Sequence, residues 1–263
     1  ALCAAADDVS ALYWNPAGLA LARTFEVTAM HAVLFENTRY EFAGAGLNAG
    51  GFPAFAAGWL QLFSDGAAGY DALGNPLGTL KDSHDAFMFG TGVSLDSENS
   101  ILLGATAKYL MESFDDVSAS GFGMDFGARL RFGMFSLGAN FQNLIAPKMT
   151  LVTMTDTYPA NMIFGAAFDV NYVLLSVEAA KLGTLPFAIR AGLEGSIPLE
   201  MSDAPMSVKP RAGWDGSNVS GGLGVEYQSF ILDYAIISLP LGLSHRISLG
   251  YALGQRPKQK DDE

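Results

Sequence analysis

The sequence is poor in cysteine, in charged residues and in long apolar runs. Its 263 residues include a single cysteine, Cys3, which excludes a disulfide framework within one chain. Half of the residues are hydrophobic, yet no run approaches the roughly 18 consecutive apolar residues that a membrane-spanning helix needs. Lys and Arg number only 15 against 27 Asp and Glu. Because no basic stripe is available to meet phosphates, nucleic acid is excluded as a partner.

Catalytic and metal-binding patterns are also lacking. The three histidines, at positions 31, 84 and 245, are far apart and have no cysteine partners, so no metal site is predicted. The Gly121-x-Gly123 pair lies inside a strand pattern and does not open a helix, which argues against a dinucleotide loop. No nucleophile-elbow motif occurs. We therefore predict a protein that is not an enzyme and has no cofactor.

Residues 122–132 alternate strictly in polarity. The even positions hold Phe, Met, Phe, Ala, Leu and Phe, whereas the odd positions hold glycine, Asp125, Arg129 and Arg131. Because successive strand residues point to opposite faces of a sheet, one face here is apolar and the other is polar. The pattern recurs along nearly the whole chain, with glycine common on the polar side. Such dispersed hydrophobicity predicts a transmembrane β-barrel.

The predicted fold class is all-β, an antiparallel transmembrane barrel of about 14 strands in residues 24–254. The strand candidates are near the length that a tilted membrane strand needs. They are residues 24–35, 38–48, 53–63, 85–95, 100–112, 119–132, 134–144, 160–170, 172–181, 186–196, 205–214, 218–227, 229–238 and 243–253. The two longest connections, 64–84 and 145–159, fall on the same side of the barrel, as extracellular loops do.

The polar face of these strands carries charges of both signs. A Lys or Arg that faces lipid at the midplane costs about 2–4 kcal/mol, so we place these side chains in the lumen. The predicted lumenal charges are Lys108, Asp125, Arg129, Arg131, Glu178, Arg190, Glu194, Lys209, Arg211, Asp233 and Arg246. Two interpretations stay open, an ion-paired and partly wet lumen or a selective charged pathway.

The two ends of the chain differ from the strands. Residues 1–23 are rich in alanine and predict a short helix-and-turn segment. A lumen lined by small residues would leak unless something occupied it, so this segment is the candidate plug. Residues 255–263 form a polar tail that we expect to be disordered in the periplasm. The chain does not open on a secretion signal, so we expect that a leader was removed or precedes this sequence.

The plug segment contains a motif of Trp14, Asn15, Pro16, Ala17 and Gly18. Together with the Asp-Asp pair that precedes it, this motif resembles the N-terminal signature of the FadL/PorV superfamily of outer-membrane barrels. The Asn-Pro-Ala core is similar to the hatch of FadL-type transporters of long-chain fatty acids and aromatic hydrocarbons. The longer Trp-Asn-Pro-Ala-Gly-Leu string is closer to the PorV/PorQ branch associated with type IX secretion. The resemblance implies a plugged fourteen-stranded barrel in the outer membrane of a Gram-negative-type bacterium.

The residues of the motif predict a turn anchor that fastens the plug to the wall. Pro16 fixes its own φ and favours an extended Asn15, whose side chain can bond to nearby backbone. Gly18 is expected to permit a tight bend. A direct role of the motif in ligand gating is the alternative.

The connection 145–159 is the candidate recognition loop. Its apolar side chains suit a docking or ligand-capture surface, and packing over the barrel mouth is the alternative. The residues concerned are Met149, Leu151, Val152 and Met154.

Three functions are considered. The leading hypothesis is a PorV-like docking or scaffold component for protein export, whose partners are outer-membrane lipid and other outer-membrane or secreted surface proteins. The alternative is FadL-like passive transport of hydrophobic small molecules. A soluble all-β binding protein is the third, and the dispersed hydrophobicity argues against it.

Overall fold

In the computed structural model, strands that follow one another in the sequence pair antiparallel around a closed barrel. The structure describes residues 1–35, 37–50, 52–151, 154–201 and 204–257. The strands are β1 (Phe25–Val33), β2 (Thr38–Leu47), β3 (Ala54–Tyr70), β4 (Pro76–Ser94), β5 (Ile101–Phe114), β6 (Val117–Phe132), β7 (Phe135–Ile145), β8 (Lys148–Leu151), β9 (Met154–Thr157), β10 (Asn161–Val170), β11 (Val173–Leu182), β12 (Ala188–Gly195), β13 (Ile197–Met201), β14 (Ala204–Trp214), β15 (Val219–Tyr227), β16 (Phe230–Leu239) and β17 (Gly242–Leu253).

Fifteen of these segments make up the fourteen strands of the wall, because β12 and β13 together form one strand. The first and last strands pair with each other, and β12 pairs with β14 to complete the ring. The short β13 continues β12, because Ala191 pairs with Trp214 and Ile197 with Val208 in one register. Pro210 lies between those pairs and cannot donate a ladder hydrogen bond. The β8–β9 hairpin is a separate two-stranded sheet. The predicted fourteen-stranded antiparallel barrel is therefore confirmed.

Side chains on the wall alternate between an apolar outer face and a largely polar inner face. Along β6, Phe122, Phe126 and Leu130 are exposed to the outside, whereas Asp125 is 1% exposed and Arg129 is buried. A closed barrel leaves no unpaired edge within the bilayer, and an apolar outer band matches lipid. This combination is that of an outer-membrane protein. β1 begins and β17 ends at the same end of the barrel, which we call the termini end, and the opposite end is the loop end.

The predicted long loop 64–84 is wrong, because most of it is strand. β3 and β4 run on to Tyr70 and Pro76, so only residues 71–75 form the turn between them. Register shifts at Asp65/Ala67 and Gly69/Tyr70, with Gly66 at φ 107°, interrupt the regular alternation there. Such a bulge breaks the two-residue period on which the prediction depended.

A few ionisable side chains lie on the outer face, which the sequence did not predict. His31 Nδ1 lies 2.7 Å from Glu41 Oε1, and Trp59 Nε1 donates to Asp85 Oδ1 at 2.8 Å. These pairs lie toward the loop end of β1–β4. Aromatic and polar residues mark the boundary of the apolar band in such barrels, and we interpret this group as that boundary.

Helical structure is confined to the N-terminal segment among the described residues. It consists of α1 (Ala11–Trp14) and a 3-10 helix over Pro16–Leu21. Neither helix is long or apolar enough to cross a membrane.

Candidate functional site

Residues 1–22, which we call the N-terminal segment, lie against the inner wall of the barrel. Glycines on the inner faces of β5, β6 and β7 make this close approach possible. A Cβ added to Gly104 would lie 2.2 Å from the Pro16 carbonyl carbon, and one on Gly127 would lie 2.0 Å from Asn15 Oδ1. One on Gly138 would lie 2.4 Å from the Cys3 carbonyl oxygen. The glycines at inward-facing positions of these strands therefore leave room for the N-terminal segment.

Asn15 joins two parts of the N-terminal segment to the wall. It is extended at φ −170° and ψ 105°, and its Oδ1 accepts from Ala17 N at 3.2 Å, which caps the 3-10 helix that begins at Pro16. Its Nδ2 donates to the Cys3 carbonyl at 2.7 Å and to the Ala128 carbonyl of β6 at 3.1 Å. The side chain is 1% exposed, so these bonds satisfy a buried amide.

The structure gives Gly18 a different role from the predicted tight bend. Gly18 lies within the 3-10 helix and is absent from the residues with positive φ. A Cβ at this position would lie 2.2 Å from the Ala6 carbonyl oxygen. The residue is small because two turns of the N-terminal segment pack together there. Ala17 is buried for the same reason, whereas Trp14 is partly exposed to a cavity.

Polar side chains of the wall donate to backbone carbonyls of the N-terminal segment. Arg129 Nη1 donates to Ala6 O at 3.1 Å, and Arg129 Nη2 to Ser136 Oγ at 3.4 Å. Asn140 Nδ2 donates to Trp14 O and Gln142 Nε2 to Tyr13 O, both at 2.8 Å. These bonds satisfy carbonyls that have no strand partner. They hold the segment in one place inside the barrel.

Cys3 is buried at the start of the N-terminal segment. Burial and, to a smaller extent, the nearby negative charge of Glu178 raise the pKa of its thiol to about 12. Glu178 Oε2 accepts from the backbone N–H groups of Leu2 and Cys3 at 3.0 and 3.2 Å. The thiol is thus protonated at neutral pH and unreactive as a nucleophile.

An apolar cavity of about 400 Å³, which we call the chamber, lies between the N-terminal segment and the inner faces of β1–β3. It extends toward the loop end as far as Leu34. The Tyr13 and Trp14 rings meet edge to face, with centroids 5.0 Å apart at 88°. The chamber is lined by Ser10, Tyr13, Trp14, Met30, Leu34, Tyr40, Phe42, Leu60, Leu62 and Arg246.

The sequence prediction missed the chamber because it assigned the inner face to polar residues. Phe42, Leu60 and Leu62 occupy inward positions on β2 and β3, so both faces of these strands are largely apolar. A strand that is apolar on both faces was the available signal, since it is buried on both sides.

A second cavity of about 460 Å³, which we call the cleft, lies between the N-terminal segment and the wall of β11–β16. Most of its charges are paired. Arg211 Nε bonds to Glu194 Oε2 at 2.6 Å, and its Nη1 bonds to Asp233. Lys209 Nζ lies 3.1 Å from Glu226 Oε2. Ser10 of the N-terminal segment lines both cavities, so the segment lies between the chamber and the cleft at this residue.

The remaining predicted lumenal charges also lie inside the barrel. Lys108 Nζ bonds to Asp125 at 2.6 Å, and Asp125 Oδ1 accepts from Asn143 N at 2.7 Å. Arg190 Nη1 bonds to Glu178 Oε1 at 3.1 Å. Arg131 Nε donates to the Gly133 carbonyl at 3.0 Å near the termini end. Arg246 differs from all of these, because no described residue forms a hydrogen bond or ion pair with its side chain, and its Nε is buried.

The candidate recognition loop turns inward. Met149 is 1% exposed, which agrees with the alternative of packing over the barrel mouth and not with an exposed docking surface. A Cβ on Gly121 of β6 would lie 2.8 Å from the Met149 sulfur, which shows that small residues on the inner face of β6 leave space for this side chain. Leu151 and Met154 pair in the backbone of the β8–β9 hairpin. Val152 lies outside the described residues.

The C-terminal tail returns to the N-terminal segment at the termini end. Arg256 Nη1 bonds to Asp7 Oδ2 at 2.5 Å, and both residues line the cleft. Residues 258–263 lie outside the described residues, so the predicted disorder of the tail remains a prediction.

Solved structures with the same architecture are known. No protein-family model and no curated protein matches this chain. The toluene transporter TbuX of Ralstonia pickettii superposes with a TM-score of 0.66 at 13% identity, over 95% of each chain. The monoaromatic hydrocarbon channel CymD superposes at 0.63 with 10% identity, over 96% of this chain and 95% of that one. A FadL homologue from Pseudomonas aeruginosa gives 0.63 at 11% identity, over 95% of each chain. This chain therefore has the fold of the FadL-type outer-membrane barrels.

Proposed function

We propose that this protein is a FadL-like passive conduit for hydrophobic small molecules in the outer membrane. The observation that carries the proposal is the chamber, which offers an apolar ligand a cavity of about 400 Å³ inside the barrel. Apolar and aromatic walls with few polar groups are the usual lining of small-molecule sites. The transporters with this fold that are named for toluene or monoaromatic hydrocarbons support the same ligand class.

We infer that the N-terminal segment acts as the plug of this conduit. Its backbone is bonded to Arg129, Asn140 and Gln142, and it separates the chamber from the termini end. A ligand in the chamber would touch Tyr13 and Trp14, so movement of the segment would govern onward passage. The motif then combines anchoring with gating.

The docking hypothesis has less support. The string that resembles the PorV branch is packed inside the barrel, where Asn15, Ala17 and Leu19 are at most 1% exposed. Residues in that position cannot contact a partner protein. Met149, which was expected to contribute to a docking surface, is also buried. Stable co-purification of surface proteins after mild detergent extraction would favour docking.

Uptake of toluene by cells tests the conduit. The chain is expressed in a strain whose lipopolysaccharide-covered outer membrane limits toluene entry, and initial uptake of labelled toluene is measured. Leu62→Trp fills the chamber, whereas Leu137→Trp adds the same ring on the lipid-facing side of β7. We expect wild type and Leu137→Trp to raise uptake and Leu62→Trp to return it to the level of cells without the barrel. Equal uptake by the two variants would contradict the proposal.

A further inference from the structure

One cation of the lumen, Arg246, forms neither an ion pair nor a hydrogen bond with any described residue, whereas Arg129 and Arg131 lack a carboxylate but donate to a carbonyl. Lys108, Arg190 and Arg211 each bond to a carboxylate within 3.1 Å. Arg246 has no such partner among the described residues, and its buried Nε forms no hydrogen bond. The residue as a whole is half-buried. A buried N–H group without an acceptor is costly, because nothing replaces the hydrogen bond to water that it loses.

Arg246 lies beside the chamber rather than the cleft. It is on the inner face of β17, opposite Ala32 of β1 and Ala235 of β16. Both neighbours are alanines, which leave the guanidinium free to reach into the cavity. None of the residues that line the chamber carries a carboxylate. The chamber thus combines an apolar lining with one unpaired positive charge.

We propose that the chamber binds compact aromatic acids, with the carboxylate on Arg246 and the ring against Tyr13, Trp14 and Phe42. This inference rests on the proposed function and narrows its substrate class. The planar guanidinium can bond to both oxygens of a carboxylate, which is the acceptor that the site lacks.

The lining and the size of the chamber favour a ring over a long chain. Tyr13, Trp14, Tyr40 and Phe42 supply aromatic faces and edges to the cavity, and rings pack on one another edge to face or offset. A volume of about 400 Å³ lies near the lower end of the range for small-molecule sites, roughly 300–1,000 Å³. A single ring with one acidic group satisfies both the volume and the charge.

Benzoate and benzamide test the charge without any substitution. The two molecules have nearly the same shape, but only benzoate is an anion. Equilibrium binding of each to the purified barrel in detergent should show benzoate at least about tenfold tighter, since hydrogen bonds to charged groups are worth about 1.5–3 kcal/mol. Equal binding would overturn the proposal.

Variants of Arg246 assign the effect to this side chain. Arg246→Met keeps a long side chain and removes the charge. Arg246→Lys keeps the charge but loses the planar guanidinium that can bond to both carboxylate oxygens. We expect Arg246→Met to lower benzoate binding to that of benzamide and Arg246→Lys to recover part of it. Unchanged benzoate binding in Arg246→Met would overturn the proposal, as would tighter, Arg246-dependent binding of hexadecanoate than of benzoate.

Toluene uptake separates this inference from the function on which it rests. We expect Arg246→Met cells to take up toluene as wild type does, because toluene needs no counterion. If wild-type cells take up toluene but the barrel does not bind benzoate, the aromatic-acid proposal fails and the conduit stands. If wild-type cells do not take up toluene above the background of cells without the barrel, the conduit itself fails.

Discussion

The chamber and the cleft are cavities of similar size in one lumen, yet they differ in almost every other property. The cleft is lined by charges that neutralise one another, such as Glu194 with Arg211 and Lys209 with Glu226. The chamber is lined by apolar and aromatic side chains and one unpaired cation, Arg246. What separates them is the N-terminal segment, which is fixed on the glycine-rich inner faces of β5–β7. The kind of ligand that each cavity can bind thus depends on where the N-terminal segment lies inside the barrel.

The part of the wall against which the N-terminal segment packs should be where a substitution lowers the stability of the barrel most. In Gly127→Val the new side chain would meet Asn15 Oδ1, starting from a Cβ only 2.0 Å away. We expect destabilisation at or beyond the upper end of the roughly 1–3 kcal/mol of ordinary overpacking, because the bonded Asn15 side chain and the rigid Pro16 ring must both move. Urea unfolding of the barrel in lipid measures it. Gly221→Val is the control, since a Cβ at Gly221 meets nothing within 4 Å. Equal stability of both variants would contradict the packing of the N-terminal segment against Gly127.

An effect of similar size is expected from the buried pair of Asp125 and Lys108 on the same side of the lumen. Asp125→Ala leaves Lys108 without its carboxylate and Asn143 N without an acceptor. Breaking a buried pair in this way costs about 3–5 kcal/mol. The double variant Asp125→Leu with Lys108→Met should recover most of that loss in the same unfolding assay. A double variant as unstable as the single one would show that packing, not charge, explains the loss.

Loss of the anchor should have an intermediate effect. Asn15→Ala removes two donated bonds and one accepted bond from a fully buried position. The carbonyls of Cys3 and Ala128 then lose a partner, and we expect about 1–3 kcal/mol of destabilisation. Faster cleavage of the N-terminal segment by a protease added at the termini end measures its release. Protection equal to that of wild type would show that the other contacts suffice.

The smallest effect is expected in the cleft. Asp233→Asn removes one of two carboxylates from Arg211, which keeps Glu194 at 2.6 Å. The pair is about one third exposed, so we expect at most about 1 kcal/mol. A loss of stability as large as that of Asp125→Ala would contradict the distinction between the buried Asp125–Lys108 pair and the partly exposed pair in the cleft.

The fold could be predicted from the sequence, because the alternation of apolar and polar residues along a strand indicates directly which face of the strand contacts lipid. Phe126 and Asp125 fall on opposite faces for that reason. The extensions of β3 and β4 could not be predicted, since bulges and polar residues hide the period there.

The candidate site was less predictable than the wall. The importance of residues 7–20 could be recognised from their motif, but not their packing against Gly104 and Gly127. The chamber forms where four strands and the N-terminal segment come together in space, and no local sequence pattern indicates such an arrangement. The absence of a partner for Arg246 likewise becomes visible only when every neighbour is placed.

Alkylation of Cys3 tests the central claim. This claim is that the N-terminal segment stays packed against the glycines on the inner faces of β5–β7 and divides the lumen. Cys3 is the single cysteine of the chain, it is buried, and its pKa is raised to about 12. We predict that iodoacetamide at neutral pH labels the folded wild-type barrel far more slowly than the urea-unfolded chain, and that Gly127→Val removes this protection. Labelling of the folded wild-type barrel as fast as that of the unfolded chain would contradict the account.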